Sequence, residues 1–191
     1  MIDADTADLA ARAAAGEGAA LDRLVRGHRA LVYRWALVLA EDPDDADDLA
    51  QAVWVKAYRN IERYRGDSKF TSWLYRITFN TSIELGRKRQ RRKVAMTALT
   101  DIAMRTPPLT PPDRLDGLQL ATVVRSLLAD LPPRQRAVFA LADLEDRTTA
   151  EIAEMLEIAE ATVRVTLFKA RRAIRSRMLQ QQPKLSGEIR S

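Results

Sequence analysis

Apolar residues recur along this chain at intervals of three and four, and no segment shows the strict alternation of a half-buried strand. That pattern predicts an all-α protein. An alanine-rich helix is expected over 3–15, and a second over 19–40 after the turn marked by Gly16 and Gly18, with Leu21, Leu24, Val25, Leu31, Val32, Trp35 and Leu39 facing inward. A third opens at Asp42-Pro43, a capping residue followed by proline at the first helical position. Its inward stripe is Ala46, Leu49, Ala50, Val53, Ala57 and Ile61. The loop Tyr64-Arg65-Gly66-Asp67-Ser68 leads to a fourth helix, from Lys69 to about Lys88, with Phe70, Trp73, Leu74, Ile77, Thr81 and Leu85 toward the core.

Periodicity then lapses. Val94 to Gly117 holds four of the eight prolines and reads as a linker partly extended by them. It resumes near Leu118 with Leu120, Val123, Val124, Leu127 and Leu128, and Leu131-Pro132-Pro133-Arg134 starts another helix with Val138, Leu141 and Ala142 inward. Thr148-Thr149-Ala150-Glu151 has capping-box spacing and opens a short helix. A turn at Glu157-Ile158-Ala159 separates it from a last helix reaching about Met178, with Val163, Leu167, Ala170 and Ile174 facing the core. Two helices across a tight turn, the second basic, make a helix-turn-helix. The expected organisation is two small helical domains, 1–93 and 118–179, joined by the flexible linker 94–117 and followed by a frayed tail, 180–191.

Charge gives these helices partners. The net charge of +5 conceals an acidic stretch at Asp42–Asp48 and basic segments from Arg87 onward. On the third helix Asp48, Gln51, Val55 and Tyr58, with Trp54 at the border, mix carboxylates with groups that avoid water, a composition suited to a protein interface. The fourth helix offers Ser72, Tyr75, Phe79 and Ser82, flanked by Arg76, Asn80 and Ile83, then Arg87-Lys88-Arg89-Gln90-Arg91-Arg92-Lys93 with six positive charges in seven positions. Single-stranded nucleic acid fits such a surface, although Tyr75 and Phe79 are equally suited to packing within a bundle. Between Ala161 and Leu179 there are six basic residues and no acidic one, so Arg164, Lys169 and Arg172 are candidates for phosphates or guanine edges and Val165 and Phe168 for thymine methyls.

With no cysteine and one histidine, disulfides, Cys/His zinc fingers and histidine-based triads are excluded, and His28 reads as a surface residue rather than a ligand. Clustered carboxylates at Glu41, Asp42, Asp44, Asp45, Asp47 and Asp48 could in principle serve a magnesium-dependent nuclease. Consecutive helix positions diverge in direction, and the helix dipole already accounts for them. No cofactor, metal or catalytic residue is expected. The apolar run 31–40 is broken by Arg34 and too short to span a bilayer, so a soluble protein of the cytoplasm is expected.

Three stretches resemble bacterial sigma factors of the extracytoplasmic-function group, initiation factors of RNA polymerase. These are Ala46-Asp47-Asp48-Leu49-Ala50-Gln51; Phe70-Thr71-Ser72-Trp73-Leu74-Tyr75-Arg76-Ile77 with Asn80; and Leu131-Pro132-Pro133-Arg134-Gln135-Arg136 with Glu151-Ile152-Ala153-Glu154 and Thr162-Val163-Arg164. The resemblance implies that Asp48, Gln51, Trp54 and Tyr58 bind the clamp helices of core polymerase. It implies that Tyr64, Arg65, Ser68, Lys69, Arg76, Asn80 and Ser82 take a flipped base and strand of the promoter minus-ten element, with Arg87, Lys88 and Arg89 on its phosphates. Thr162, Arg164, Val165, Phe168, Lys169, Arg171 and Arg172 would read duplex DNA at minus thirty-five. It further implies an anti-sigma factor, often membrane-tethered, as inhibitor. Departures from the family pattern are Ala52 where glutamate is common, Glu157 where the turn often has glycine, Ala159 without a capping oxygen, and Val165 and Thr166 in place of more polar residues. A stand-alone helix-turn-helix regulator with an N-terminal sensor or dimerisation domain is the alternative.

Overall fold

The structure, a computed structural model, describes residues 2–40, 45–97 and 127–186. Among them every regular element is helical: α1 (Ile2–Ala14), α2 (Gly18–Leu39), α3 (Asp45–Asn60), a 3-10 turn (Ile61–Arg63), α4 (Phe70–Thr97), α5 (Pro133–Phe139), a π-helical turn (Ala140–Leu144), α6 (Thr149–Leu156) and α7 (Glu160–Ser186). The expected cap at Asp42-Pro43 and the expected linker and helix start between 98 and 126 lie outside the described residues.

The first four helices pack as their stripes require. Leu21, Leu24, Val32, Trp35 and Leu39 of α2 are buried, as are Ala46, Leu49, Val53 and Ala57 of α3. In the second unit Val138, Leu141, Ile152, Val163, Leu167, Ala170 and Ile174 are buried, joining α5, α6 and α7. The capping box forms: Thr148 Oγ1 accepts from the Glu151 amide at 3.2 Å, and the Glu151 carboxylate accepts from the Thr148 amide at 2.9 Å.

Several expectations change. The α4 helix continues through the basic run to Thr97, beyond the expected start of the linker at Val94, because Arg, Lys and Gln are good helix formers and no proline intervenes before Pro107. The α7 helix likewise extends to Ser186 rather than fraying after Leu179. Residues 140–144 form a π-helical turn that a period of 3.6 does not announce. His28 is half-buried, not a free surface group; its Nδ1 lies 2.9 Å from the Leu24 carbonyl oxygen and its ring meets Phe70 edge-on at 5.2 Å.

The fourth helix is covered on two sides. Phe70, Leu74 and Thr81 are buried as expected, but so are Ser72, Tyr75, Phe79 and Ser82, on the face open to nucleic acid in the sequence reading. For Tyr75 the physical reason is packing at long range, α6 lying against α4 and α5 against α2, whereas Ser82 lies beside Ala40, Asp45 and Leu49 of the first unit. Tyr75 meets Trp35 edge-on at 4.9 Å and donates to the Ala137 carbonyl at 3.3 Å. Burial pushes its phenol well above the ordinary tyrosine pKa. Trp35 Nε1 donates to Glu145 Oε1 at 2.5 Å.

Beside them, Arg136 is 3 % exposed. One guanidinium nitrogen donates to the Leu39 and Ala40 carbonyls at 3.1 and 3.0 Å, and the other to Ala129 and Leu131 at 2.9 and 3.2 Å. A helix ends with carbonyls lacking partners and a partial negative charge, so a buried arginine there satisfies both needs. Arg136 thereby joins the second unit to the end of α2.

Candidate functional site

Three surfaces stand out, each built by a different local device. On α3 the buried stripe turns Asp47, Asp48, Gln51, Val55 and Tyr58 outward, while Trp54 is half-buried against the core. Val55 is 44 % and Tyr58 70 % exposed, an apolar strip rimmed by carboxylates. Lys56 ties this helix to α4 through Glu84 at 2.5 Å. Ala52 is half-buried at the edge of that strip. No member of the expected clamp set is lost to the interior.

The second surface starts in the loop after the 3-10 turn. Gly66 adopts φ +79°, which a side chain would strain, and Tyr64 donates to the Ser68 carbonyl at 2.7 Å, closing the loop on itself. Tyr64, Phe70 and Trp73 pack with ring centres 5.5–5.8 Å apart. Burial raises the Tyr64 phenol pKa, with the charge of Arg76 opposing it. Between this loop and α1 lies a cleft of about 430 Å³ lined by Tyr64, Arg65, Ser68 and Lys69 on one side and by Thr6, Ala7 and Ala11 on the other. Ligand clefts typically run about 300–1,000 Å³. The α1 wall escaped the sequence reading because alanine carries no chemical signal.

Arg76 stands at the mouth of α4's polar side. Its guanidinium donates to Ser68 Oγ at 2.7 Å and pairs with Glu157. Asn80 is exposed one turn further, and Arg87 and Lys88 are exposed about 17–18 Å along the helix from Arg76 at about 1.5 Å per residue. Arg89 is half-buried and paired with Asp45, where the acidic and basic stretches meet. Ser82 departs from the set: it is 8 % exposed and its hydroxyl donates to the Phe79 carbonyl of its own helix at 2.8 Å. Its small polar side chain is used in packing.

The third surface is α7. Val163, Leu167 and Ala170 fix the register, so Thr162, Arg164, Val165, Phe168, Lys169, Arg171 and Arg172 are exposed. Phe168 is 67 % and Val165 55 % exposed, apolar groups at the outer face of a cationic helix. Arg164 contacts Glu160 at 3.2 Å, one turn earlier. Arg171 forms a two-pronged contact with Asp143 of the π-helical turn at 2.8 and 3.1 Å, which raises its pKa and gives it a structural partner. The turn between α6 and α7 is made by Glu157 at φ 52°, a left-handed conformation that costs a residue with a Cβ about 1 kcal/mol. The Ile158 amide donates back to the Ala153 carbonyl at 3.0 Å, completing the helix end.

The comparisons with known proteins assign these surfaces to a family. A Sigma-70 region 2 model matches residues 24–92 and a Sigma-70 region 4 model matches residues 122–174. Over 166 residues the chain is 33% identical to the ECF RNA polymerase sigma factor SigM of Mycobacterium tuberculosis, covering 86% of this chain and 80% of that one. This chain belongs to the extracytoplasmic-function sigma factors. It is also 34% identical to SigE of Mycolicibacterium smegmatis over 85% of its own length and 64% of that protein's. Among solved structures the fold is similar to CnrH in complex with the cytosolic domain of CnrY (TM-score 0.67, 23% identity, 91% and 97% of the two chains). It is similar as well to the sigma factor RpoE of Bartonella quintana in complex with the anti-sigma factor NepR (TM-score 0.64, 20% identity, 81% and 94%). In this sigma factor the outer face of α3, the Tyr64–Lys69 wall of the cleft and α4 up to Arg92 fall within the region 2 match, the α1 wall of the cleft lies before it, and the helix-turn-helix up to Ile174 falls within the region 4 match. Among the described residues no helix is long and apolar enough to cross a membrane.

Proposed function

We propose that this sigma factor directs core RNA polymerase to a set of promoters by binding alone, through three surfaces with separate tasks. Asp48, Gln51, Trp54 and Tyr58 dock the polymerase clamp. The cleft between α1 and the Tyr64–Lys69 loop takes a flipped base of the minus-ten element, with Arg76 and Asn80 on the adjoining strand and Arg87 and Lys88 on its phosphates. Thr162, Arg164, Val165, Phe168, Lys169 and Arg172 read the minus-thirty-five duplex. Its place of action is the cytoplasm, and an anti-sigma factor that covers these surfaces is its inhibitor. The solved sigma factor RpoE of similar fold, in complex with the anti-sigma factor NepR, supports a partner of that kind.

The observation that carries the reading is the pairing, on one chain, of an exposed apolar strip among carboxylates on α3 with two cationic surfaces on α4 and α7. A plain duplex-binding regulator has no use for the first. Run-off transcription with purified core polymerase across fragments of its own genome should yield discrete starts that core enzyme alone does not make. Failure to initiate anywhere, with the polymerase shown active, would overturn it. Retention of core polymerase on the immobilised protein separates it from the helix-turn-helix regulator, which would bind duplex DNA and leave polymerase in the wash.

A further inference from the structure

The turn of the helix-turn-helix reaches the minus-ten helix. Glu157 adopts a left-handed conformation that glycine would take without strain, and its carboxylate lies on Arg76, 81 positions earlier in the chain. The same guanidinium holds Ser68 Oγ in the loop that walls the cleft. Arg76 is half-buried while Glu157 remains 71 % exposed, so the carboxylate sits at the rim of a covered surface and not inside it. Behind this contact the two units share Tyr75, Trp35, Glu145 and Arg136.

This arrangement does not let both promoter elements be read at once. Elements ten and thirty-five base pairs upstream are about 25 base pairs apart, or about 85 Å along duplex DNA at about 3.4 Å per base pair. In the structure α6 packs directly on α4. The 29 residues from 98 to 126 would span up to about 100 Å if drawn out at about 3.5 Å each, so the chain is long enough for the units to part.

We propose, resting on the minus-ten role given to Arg76 above, that the closed arrangement is the DNA-free state and that Glu157 is an intramolecular stand-in for a promoter phosphate. Its carboxylate occupies the cation that the strand requires, and strand and carboxylate compete for it. The pair is exposed on one side, and such pairs shift equilibria by about 1.4- to 5-fold. The latch therefore sets a threshold and does not block binding, the larger part of closure residing in the buried contacts behind it.

The test is a four-protein cycle on the full chain: wild type, Glu157→Gln, Arg76→Gln and the double variant. Glu157→Gly is run beside them, since glycine relieves the left-handed backbone and keeps the turn folded. Two quantities are measured: affinity for a fluorescein-labelled single strand of randomised sequence, and amide exchange across α4. Glu157→Gln and Glu157→Gly should each tighten strand binding about two- to five-fold and speed α4 exchange by a similar factor. Neither effect should appear when Glu157→Gln is made on Arg76→Gln. Equal tightening in both backgrounds would reduce the effect to the loss of one negative charge and overturn the latch. Unchanged exchange and affinity in the single variants would overturn it too. If exchange responds as expected but no form binds the strand, the latch stands and the minus-ten reading falls.

Discussion

Replacing Arg136 with lysine isolates the contact that joins the two helical units. The guanidinium serves two pairs of carbonyls from two nitrogens, Leu39 and Ala40 in the first unit and Ala129 and Leu131 in the second. Lysine keeps the charge, but its donors radiate from a single atom and cannot span both pairs. One pair is lost. Hydrogen bonds to a charged donor contribute about 1.5–3 kcal/mol each, and buried carbonyls stripped of a partner bear their own desolvation cost. The expected loss is about 3–4 kcal/mol, near the range of about 3–5 kcal/mol for breaking a buried charged contact. Against a total of about 5–15 kcal/mol this is a large fraction, lowering Tm by roughly 10 °C. Urea unfolding followed by circular dichroism and tryptophan fluorescence measures it, because Trp35 lies at the junction and Trp54 and Trp73 lie in the first unit alone. A loss below about 1 kcal/mol would refute the assignment of Arg136 as the joint.

Three further outcomes are expected. Tyr58→Ala should leave stability within about 0.5 kcal/mol, its side chain being 70 % exposed, yet weaken core-polymerase binding by about thirtyfold if it anchors the interface; competition binding reads this, and a change under twofold would remove Tyr58 from the clamp surface. Ala11→Phe fills the cleft from the α1 side, so strand binding should fall about tenfold with Tm little moved, whereas unaltered binding would place the flipped base elsewhere. The Glu151 carboxyl lies below the ordinary glutamate value because the Thr148 amide and hydroxyl bond its charged form. A lowered folded pKa gives stability that is present above the unfolded pKa and lost as pH falls through the folded one; Glu151→Gln should flatten that acid limb, and an unchanged limb in pH-dependent melts would refute the capping contribution.

Local rules carried much of this architecture. The α3 stripe, the capping box and the register of α7 follow from spacings within one or two turns, and Ala46, Leu49, Val53 and Ala57 are buried together. What spacing does not encode is which second face a helix presents to a distant segment. Tyr75 and Phe79 suited both a base and a core in the sequence, and for Tyr75 it is Ala137 of α5, 62 residues away, that decides for the core. Ser82 was misplaced for a nearer cause, since it is buried beside Ala40, Asp45 and Leu49 of the first unit. The cleft was half legible: Gly66 and its polar neighbours signal a loop, but Ala7 and Ala11 contribute only shape. Glu157 shows the reverse, since its departure from glycine was visible and only the structure supplies Arg76 as its partner.

Closure bears unequally on the two kinds of partner, and this gives the proposal its sharpest edge. Asp48, Gln51, Val55 and Tyr58 are exposed in the same arrangement that engages Arg76 with Glu157. On the proposed roles, polymerase would dock on the closed protein, while the strand would have to displace a carboxylate first. A ligand shifts an equilibrium only by its differential affinity for the two states. The proposed clamp face is already exposed in the closed protein, so Glu157→Gln should leave affinity for core polymerase within about 1.5-fold while strand affinity rises about two- to five-fold. Titration of labelled full-length protein with core enzyme, in the absence of DNA, measures the first quantity. A gain in polymerase affinity matching the gain for the strand would mean that the second unit covers the clamp surface as well, and that docking and opening are one step.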